Sequence, residues 1–433
     1  MRLANPIALV LVGALSFASA RCQSAPPLSP AVAVPPTAST SEVIAPKEAA
    51  PVSLEAATEV ARQTLVVDGH VDLPFRLFEQ KEKKGAITDD VSQRLSEGNF
   101  DWVRARAGGL DAPFMSIYVP ARHQTEGGAK ALADELIDIV EAIAKAHPEQ
   151  FAIAKSVAEV ERAFAAGMVA LPMGIENGAA IEGSLDNLRH FHERGVRYIT
   201  LTHSEDNDIC DSSYATTHRH QGLSAFGKDV VREMNRLGVM VDVSHISDDA
   251  FWQVMEVSDV PVIASHSSCR HFTPGFERNM SDDMIRRMKD NGGVVMINYG
   301  SGFLTEAARS TRTAMWEARR AFMAERKLER DAPEVEAWDA KYEAEHDLPL
   351  ATVEDVADHI DHVVKLAGID HVGLGSDFDG VGDSLPIGLE DAEKLPNLFF
   401  ALMKRGYTRA DLTKIASANL LRVWRTVEER AAR

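Results

Sequence analysis

Cysteine is nearly absent from this chain: Cys22, Cys210 and Cys269 are the three in 433 residues. That scarcity excludes a disulfide framework and leaves open at most one bridge, between Cys210 and Cys269, should the chain reach an oxidising compartment. Positive charge is also short. With 46 Lys and Arg against 65 Asp and Glu, the formal net charge is -19, and an acidic surface repels the phosphates of nucleic acid and anionic lipid alike. The expected partner is a small molecule, with no nucleic acid and no stable membrane insertion. The apolar run from Ile7 to Phe17 falls short of the ~20 residues that span a bilayer. It follows Arg2 and ends in Ala18-Ser19-Ala20, the small-x-small pattern of an export signal, so residues 1–20 read as a cleaved signal peptide and the protein as periplasmic or secreted. Lipoprotein anchoring at Cys22 is the weaker alternative, because Arg21 stands where a lipobox needs a small residue. The charged stretch Glu428 to Arg433 offers no hydrophobic tail for a lipid anchor.

What is present is enough to bury a large core: 45% of the residues are hydrophobic and 26% charged. Residues 21–53, rich in Ala, Pro, Ser and Val, read as a disordered, semi-extended linker. From residue 54 to 433 short β-branched runs alternate with amphipathic helical patterns, the signature of βαβ units and a parallel sheet. Eight candidate strands centre on Leu65–Val67, Met115–Val119, Val169–Met173, Tyr198–Leu201, Val239–Val243, Val260–Ala264, Val294–Ile297 and Val372–Leu374. Eight closes a barrel, so the expected fold is α/β, a (β/α)8 TIM barrel. Helical patterns fall at Ala129–Ala146, Ser184–Arg194, Phe226–Leu237, Ser281–Asn291 and Val353–Leu366. Residues 304–346, dense in Ala, Glu, Arg and Lys, read as a helical hairpin inserted after strand seven. It is either a solvated face or a lid.

Chemistry gathers at the strand ends. The runs lead into Asp68-Gly69-His70-Val71-Asp72, Gly174-Ile175-Glu176, Thr202-His203, Asp242-Val243-Ser244-His245, Ser265-His266-Ser267 and Ser376-Asp377-Phe378-Asp379. Barrel enzymes build their sites there. His70 and Asp72 are two apart, so in an extended chain both reach one ion, and imidazoles with carboxylates suit zinc left open for water. Glu176 could bridge to a second ion held by His245 and His266, which would give a two-metal hydrolase. Each residue alone has a plainer reading: Glu176 as a helix-start carboxylate, His245 or His266 as a hydrogen-bonded core histidine. Their joint occurrence at successive strand ends favours metal.

The blocks Asp68-Gly69-His70-Val71-Asp72-Leu73-Pro74, Tyr198-Ile199-Thr200-Leu201-Thr202-His203, Val262-Ile263-Ala264-Ser265-His266-Ser267-Ser268, Arg278-Asn279-Met280 and Ser376-Asp377-Phe378-Asp379-Gly380 resemble the membrane (renal-type) dipeptidase family of zinc metallopeptidases, over essentially all of Leu65 to Val427. The resemblance implies an amidohydrolase-type barrel with two Zn2+ per chain. It assigns His70 and Asp72 to the first ion, Glu176 to both, and His245 and His266 to the second. It further implies that His203 steadies the oxyanion, Arg278 binds the substrate's carboxylate and Asp377 handles protons. The residues themselves leave alternatives: a surface arginine for Arg278, a supporting partner for His203, a structural carboxylate or further metal ligand for Asp377. The activity implied is cleavage of free dipeptides through a hydroxide bridging the two zincs. Hydrolysis of other amides or esters (acyl amino acids, β-lactams, lactones) and a non-catalytic peptide-binding module are the competing functions. The family's mammalian members carry a lipid-anchor signal and disulfides that this sequence does not reproduce, which points to a bacterial-type member. Relatives pair as homodimers, though no residue pattern here marks an interface.

Overall fold

A computed structural model describes residues 52–329 and 332–431. The expected signal peptide, the linker up to residue 51 and Cys22 lie outside the described residues. Among the described residues there are ten strands: β1 (Val67–Val71), β2 (Ala112–Tyr118), β3 (Phe151–Ile153), β4 (Val169–Leu171), β5 (Met173–Glu176), β6 (Val196–Thr200), β7 (Met240–Asp242), β8 (Ile263–Ala264), β9 (Val294–Ile297) and β10 (Val372–Leu374). Eight of them close a parallel barrel in the order β1-β10-β9-β8-β7-β6-β5-β2, the (β/α)8 architecture expected. Helices wrap its outside, so nearly every strand residue is buried on both faces and continuous apolar runs replace alternation.

The strand expected over Val169–Met173 is two strands. Pro172 lies between them and has no N–H to donate, although its carbonyl still accepts from the Met115 amide at 2.8 Å. Before it, β4 pairs with β3 in a separate two-stranded sheet; after it, β5 joins the barrel beside β2 and β6. The first strand also starts later than expected and carries Asp68 and His70 within itself, because Gly69 lets it approach its neighbours closely. A Cβ at 69 would stand 2.4 Å from the Ser265 carbonyl oxygen.

The helical patterns fall where expected, at Ala129–Ala146, Leu185–Arg194, Ala225–Leu237, Asp282–Asn291 and Val353–Ala367. Ser224 and Ser281 cap two of them through the amides of Gly227 and Met284. The segment after β9 is helical, with a short turn at Ser301–Leu304 and longer helices at Glu306–Arg326 and Pro333–Glu345. No described helix is long and apolar enough to cross a membrane. Cys210 and Cys269 are not bridged. Both are buried free thiols, carried on different loops: the Cys210 amide donates to Asn207, that of Cys269 to His359.

Candidate metal centre

Four histidines and three carboxylates meet at the carboxyl ends of the barrel strands. Three overlapping groups have donor atoms within 4.8 Å of one another: His70, Glu176 and His266; Glu176, His203 and His245; His70, Asp72 and Asp377. Glu176, on β5, is common to two of them. Its Oε1 lies 3.0 Å from His245 Nε2, 3.3 Å from His266 Nε2 and 3.5 Å from His203 Nε2, while Oε2 lies 3.3 Å from His70 Nε2. Every metal-ligand candidate read from the sequence is therefore in one cluster, with Asp377 close enough to join His70 and Asp72 as a ligand.

The hydrogen bonds behind this cluster fix which nitrogen carries a proton. Tyr198 donates its hydroxyl hydrogen to the Gly69 carbonyl at 3.1 Å and so accepts from His70 Nδ1 at 2.9 Å. This leaves Nε2 of His70 pointing at Asp72 Oδ2 and Glu176 Oε2, each 3.3 Å away. On the other side Ser265 donates to Asp242 Oδ2 at 2.6 Å and accepts from His266 Nδ1 at 2.7 Å. Nε2 of His266 then presents a lone pair to Nε2 of His245, 2.8 Å away, and to Glu176.

Burial and the Arg278 guanidinium hold His245 well below the usual imidazole range, and burial and His70 do so for His266, so both are neutral. Burial opposes charge on His70, but Tyr198, Asp72 and Glu176 outweigh it and push its pKa well up. Burial likewise opposes ionisation of Glu176, yet the surrounding imidazoles, His70 first, keep it well below the carboxylate range. Asp377 is pushed up to about 8 by burial and the Asp72 charge. The facing Nε2 atoms of His245 and His266 and the adjoining Asp72 and Asp377 carboxylates are the unfavourable pairs here, and cations placed between them would relieve both. The donor set, nitrogen and oxygen only, fits zinc.

A glycine makes room for this. A Cβ on Gly380 would stand 2.3 Å from both Asp377 Oδ1 and Asp72 Oδ2. His245 and Asp377 sit at φ 69° and 63°, left-handed backbone that costs about 1–3 kcal/mol at a non-glycine residue and persists where surrounding contacts hold it.

Arg278 is 3% exposed, which discards the surface-arginine reading. Its guanidinium donates to Ser267 Oγ at 2.8 Å, the His266 carbonyl at 2.8 Å and His245 Nε2 at 2.9 Å, while its Nε–H has no acceptor. Burial, with Arg278 nearby, keeps His203 below the usual range despite Glu176; its ring lies 4.9 Å from that of Tyr118.

Sequence reasoning missed three contributors: Tyr198, the Asp242–Ser265 pair and Asn298, whose side-chain amide donates to Asp377 Oδ2 at 2.7 Å. Asn298 directly follows β9 and could have been found by counting amides as well as titratable groups at strand ends.

A closed parallel barrel with histidines and carboxylates converging at this end has the make-up of a metal-dependent hydrolase. The sequence profile of the membrane dipeptidase family (peptidase family M19) matches residues 54–433, and the chain belongs to that family. An uncharacterized dipeptidase of Schizosaccharomyces pombe is 34% identical over 376 residues, 84% of this chain and 81% of that protein. The crystal structure of the probable dipeptidase PvdM from Pseudomonas aeruginosa superposes with a TM-score of 0.74 at 28% identity, covering 87% of this chain and 99% of that one. A metallopeptidase from Rhodobacter sphaeroides, liganded with a phosphinate mimic of the dipeptide L-Ala-D-Ala, gives a TM-score of 0.67 at 25% identity, over 84% of this chain and 99% of that one.

Proposed function

We propose that this protein is an exported dizinc dipeptidase that hydrolyses the peptide bond of free dipeptides. Two zinc ions, when bound, would polarise the scissile carbonyl and activate a water at neutral pH. His70, Asp72 and Glu176 would hold one, and Glu176, His245 and His266 the other. The remaining groups act on the substrate. Arg278 has an uncommitted Nε–H and takes the dipeptide's free carboxylate through its planar fork. His203, opposite, steadies negative charge developing on the carbonyl oxygen. Asp377, held through Oδ2 by Asn298 and ionised once bound cations offset the Asp72 charge that raises it, would take the proton of the attacking water and return it to the leaving amine.

The single observation that carries this reading is the buried Arg278 guanidinium 2.9 Å from His245. Its Nε–H is buried without an acceptor, which costs free energy unless an acceptor meets it, and the carboxylate of a free carboxyl terminus is such an acceptor. The experiment is metal content together with dipeptide hydrolysis, before and after chelation and with zinc restored. Two zincs per chain, with cleavage lost on chelation and regained with zinc, is the expected result. Full zinc without cleavage of any dipeptide would end the proposal.

A further inference from the structure

The mouth of the barrel carries an aromatic wall that the metal cluster does not use. Tyr214, on the loop after β6, has its ring 6.0 Å from His245 and 6.1 Å from Phe276. Phe276, on the loop after β8, stacks on Phe303 at 5.9 Å, and Phe303, after β9, lies 5.3 Å from the Arg278 guanidinium carbon. Two loops and the helical turn at Ser301–Leu304 thus bring one ring each into a chain of contacts that ends at Arg278. These rings are not sealed in the core: Tyr214 is 43% exposed, and Phe276 and Phe303 are half-buried.

The wall is braced from behind. Arg309, on the first long helix of the insertion, lies 5.8 Å from the Phe276 ring centre and is clamped by both carboxylate oxygens of Glu306 at 2.8 and 2.5 Å. Phe303 is pressed against the backbone where β9 ends, since a Cβ on Gly300 would fall 2.8 Å from its ring. The inserted helix therefore backs one ring of this apolar surface through Arg309.

We propose that Tyr214, Phe276 and Phe303 form the subsite for the side chain of the substrate's carboxyl-terminal residue and select a large apolar or aromatic group there. The inference rests on the dipeptidase reading. With Arg278 holding the carboxylate, the side chain on the same Cα must pass beside it, and the surface on that side is this wall. Burying an apolar side chain against it is favourable. The electron-rich ring faces disfavour an acidic one, and a basic one would be brought close to Arg278.

The test uses the zinc-loaded full chain. Cleavage of Ala-Phe, Ala-Leu, Ala-Gly and Ala-Asp is compared with calorimetric binding of phosphinate mimics of Ala-Phe and Ala-Gly. The wild type should favour Ala-Phe over Ala-Gly by at least about tenfold in kcat/KM and in mimic affinity, with Ala-Asp the poorest substrate. Phe276→Ala should reduce that preference to roughly threefold or less, and Arg309→Ala to an intermediate value. Tyr214→Ala truncates a ring that is 43% exposed, so its loss of preference serves even if Phe276→Ala fails to fold. A wild type without preference, or variants that lower Ala-Phe and Ala-Gly equally, would overturn the subsite. Tighter binding of the Phe mimic without turnover of any dipeptide would instead sustain the subsite and remove the dipeptidase reading.

Discussion

The hydroxyl of Tyr198 stands between His70 Nδ1, 2.9 Å away, and the Gly69 carbonyl, 3.1 Å away, and so fixes which nitrogen of His70 is free for a cation. Tyr198→Phe should keep the fold, because the ring still packs 5.2 Å from Phe114, but lower metal affinity by roughly 10–100-fold. Competition with a chelator reads this directly, and an unchanged affinity would remove Tyr198 from the role. Gly174→Ala should be worse on two counts. Its Cβ would fall 2.0 Å from Tyr198 Cζ, so the ring must shift, costing about 1–3 kcal/mol of stability as well as affinity.

Gly380→Ala should abolish metal loading in a chain that still folds. The added methyl group falls on Asp72 and Asp377, and these cannot retreat without leaving the site. Metal content and circular dichroism together check this; normal zinc content with normal turnover would show that the two carboxylates tolerate displacement.

Arg278→Ala should cost roughly 3 kcal/mol, on the order of a hundredfold in kcat/KM, for free dipeptides. Dipeptide amides supply the control. The wild type should prefer the free acid, and the variant should treat acid and amide alike. A variant that still prefers the acid would place carboxylate recognition elsewhere.

Stability should fall as pH drops below neutrality, through a histidine outside the site. His359 accepts from the Cys269 amide at Nδ1 and lies 2.9 Å from the Leu304 carbonyl at Nε2, so it is neutral, and burial lowers its pKa from 6.5 to about 4. The unfolded chain binds a proton there first. The stabilisation is therefore whole above about pH 6.5 and drains away as pH falls towards 4. That interval is worth roughly 3 kcal/mol. His359→Gln should flatten the corresponding part of the stability curve measured by urea unfolding, and an unchanged slope would assign the acid sensitivity to other groups.

The barrel was legible because parallel strands buried on both faces leave continuous apolar runs, and the clustering of the candidate metal ligands because polar groups at the ends of such runs are conspicuous. Pro172 was the place to see that one run was two strands; its lack of an N–H matters only once β4 and β5 have different partners. Tyr198 could not be read as a supporting group. Its position is mid-strand and apolar in pattern, and its link to His70 crosses the barrel over 128 residues of sequence. Arg278 read more readily as a surface residue until its burial was known. Two cysteines alone among residues 54–433 left room for a bridge, but they sit on the loops after β6 and β8, two strands apart, as free thiols.

Asp68 on β1 accepts the amide of Ser376 across 308 residues, and the same seam brings His70 and Asp72 together with Asp377. The chain's first barrel strand thus waits for its last before one half of the centre exists. A cation held in that half would act as a rivet through the seam, tying the first strand to the last, and its loss would loosen the joint that gave it a place.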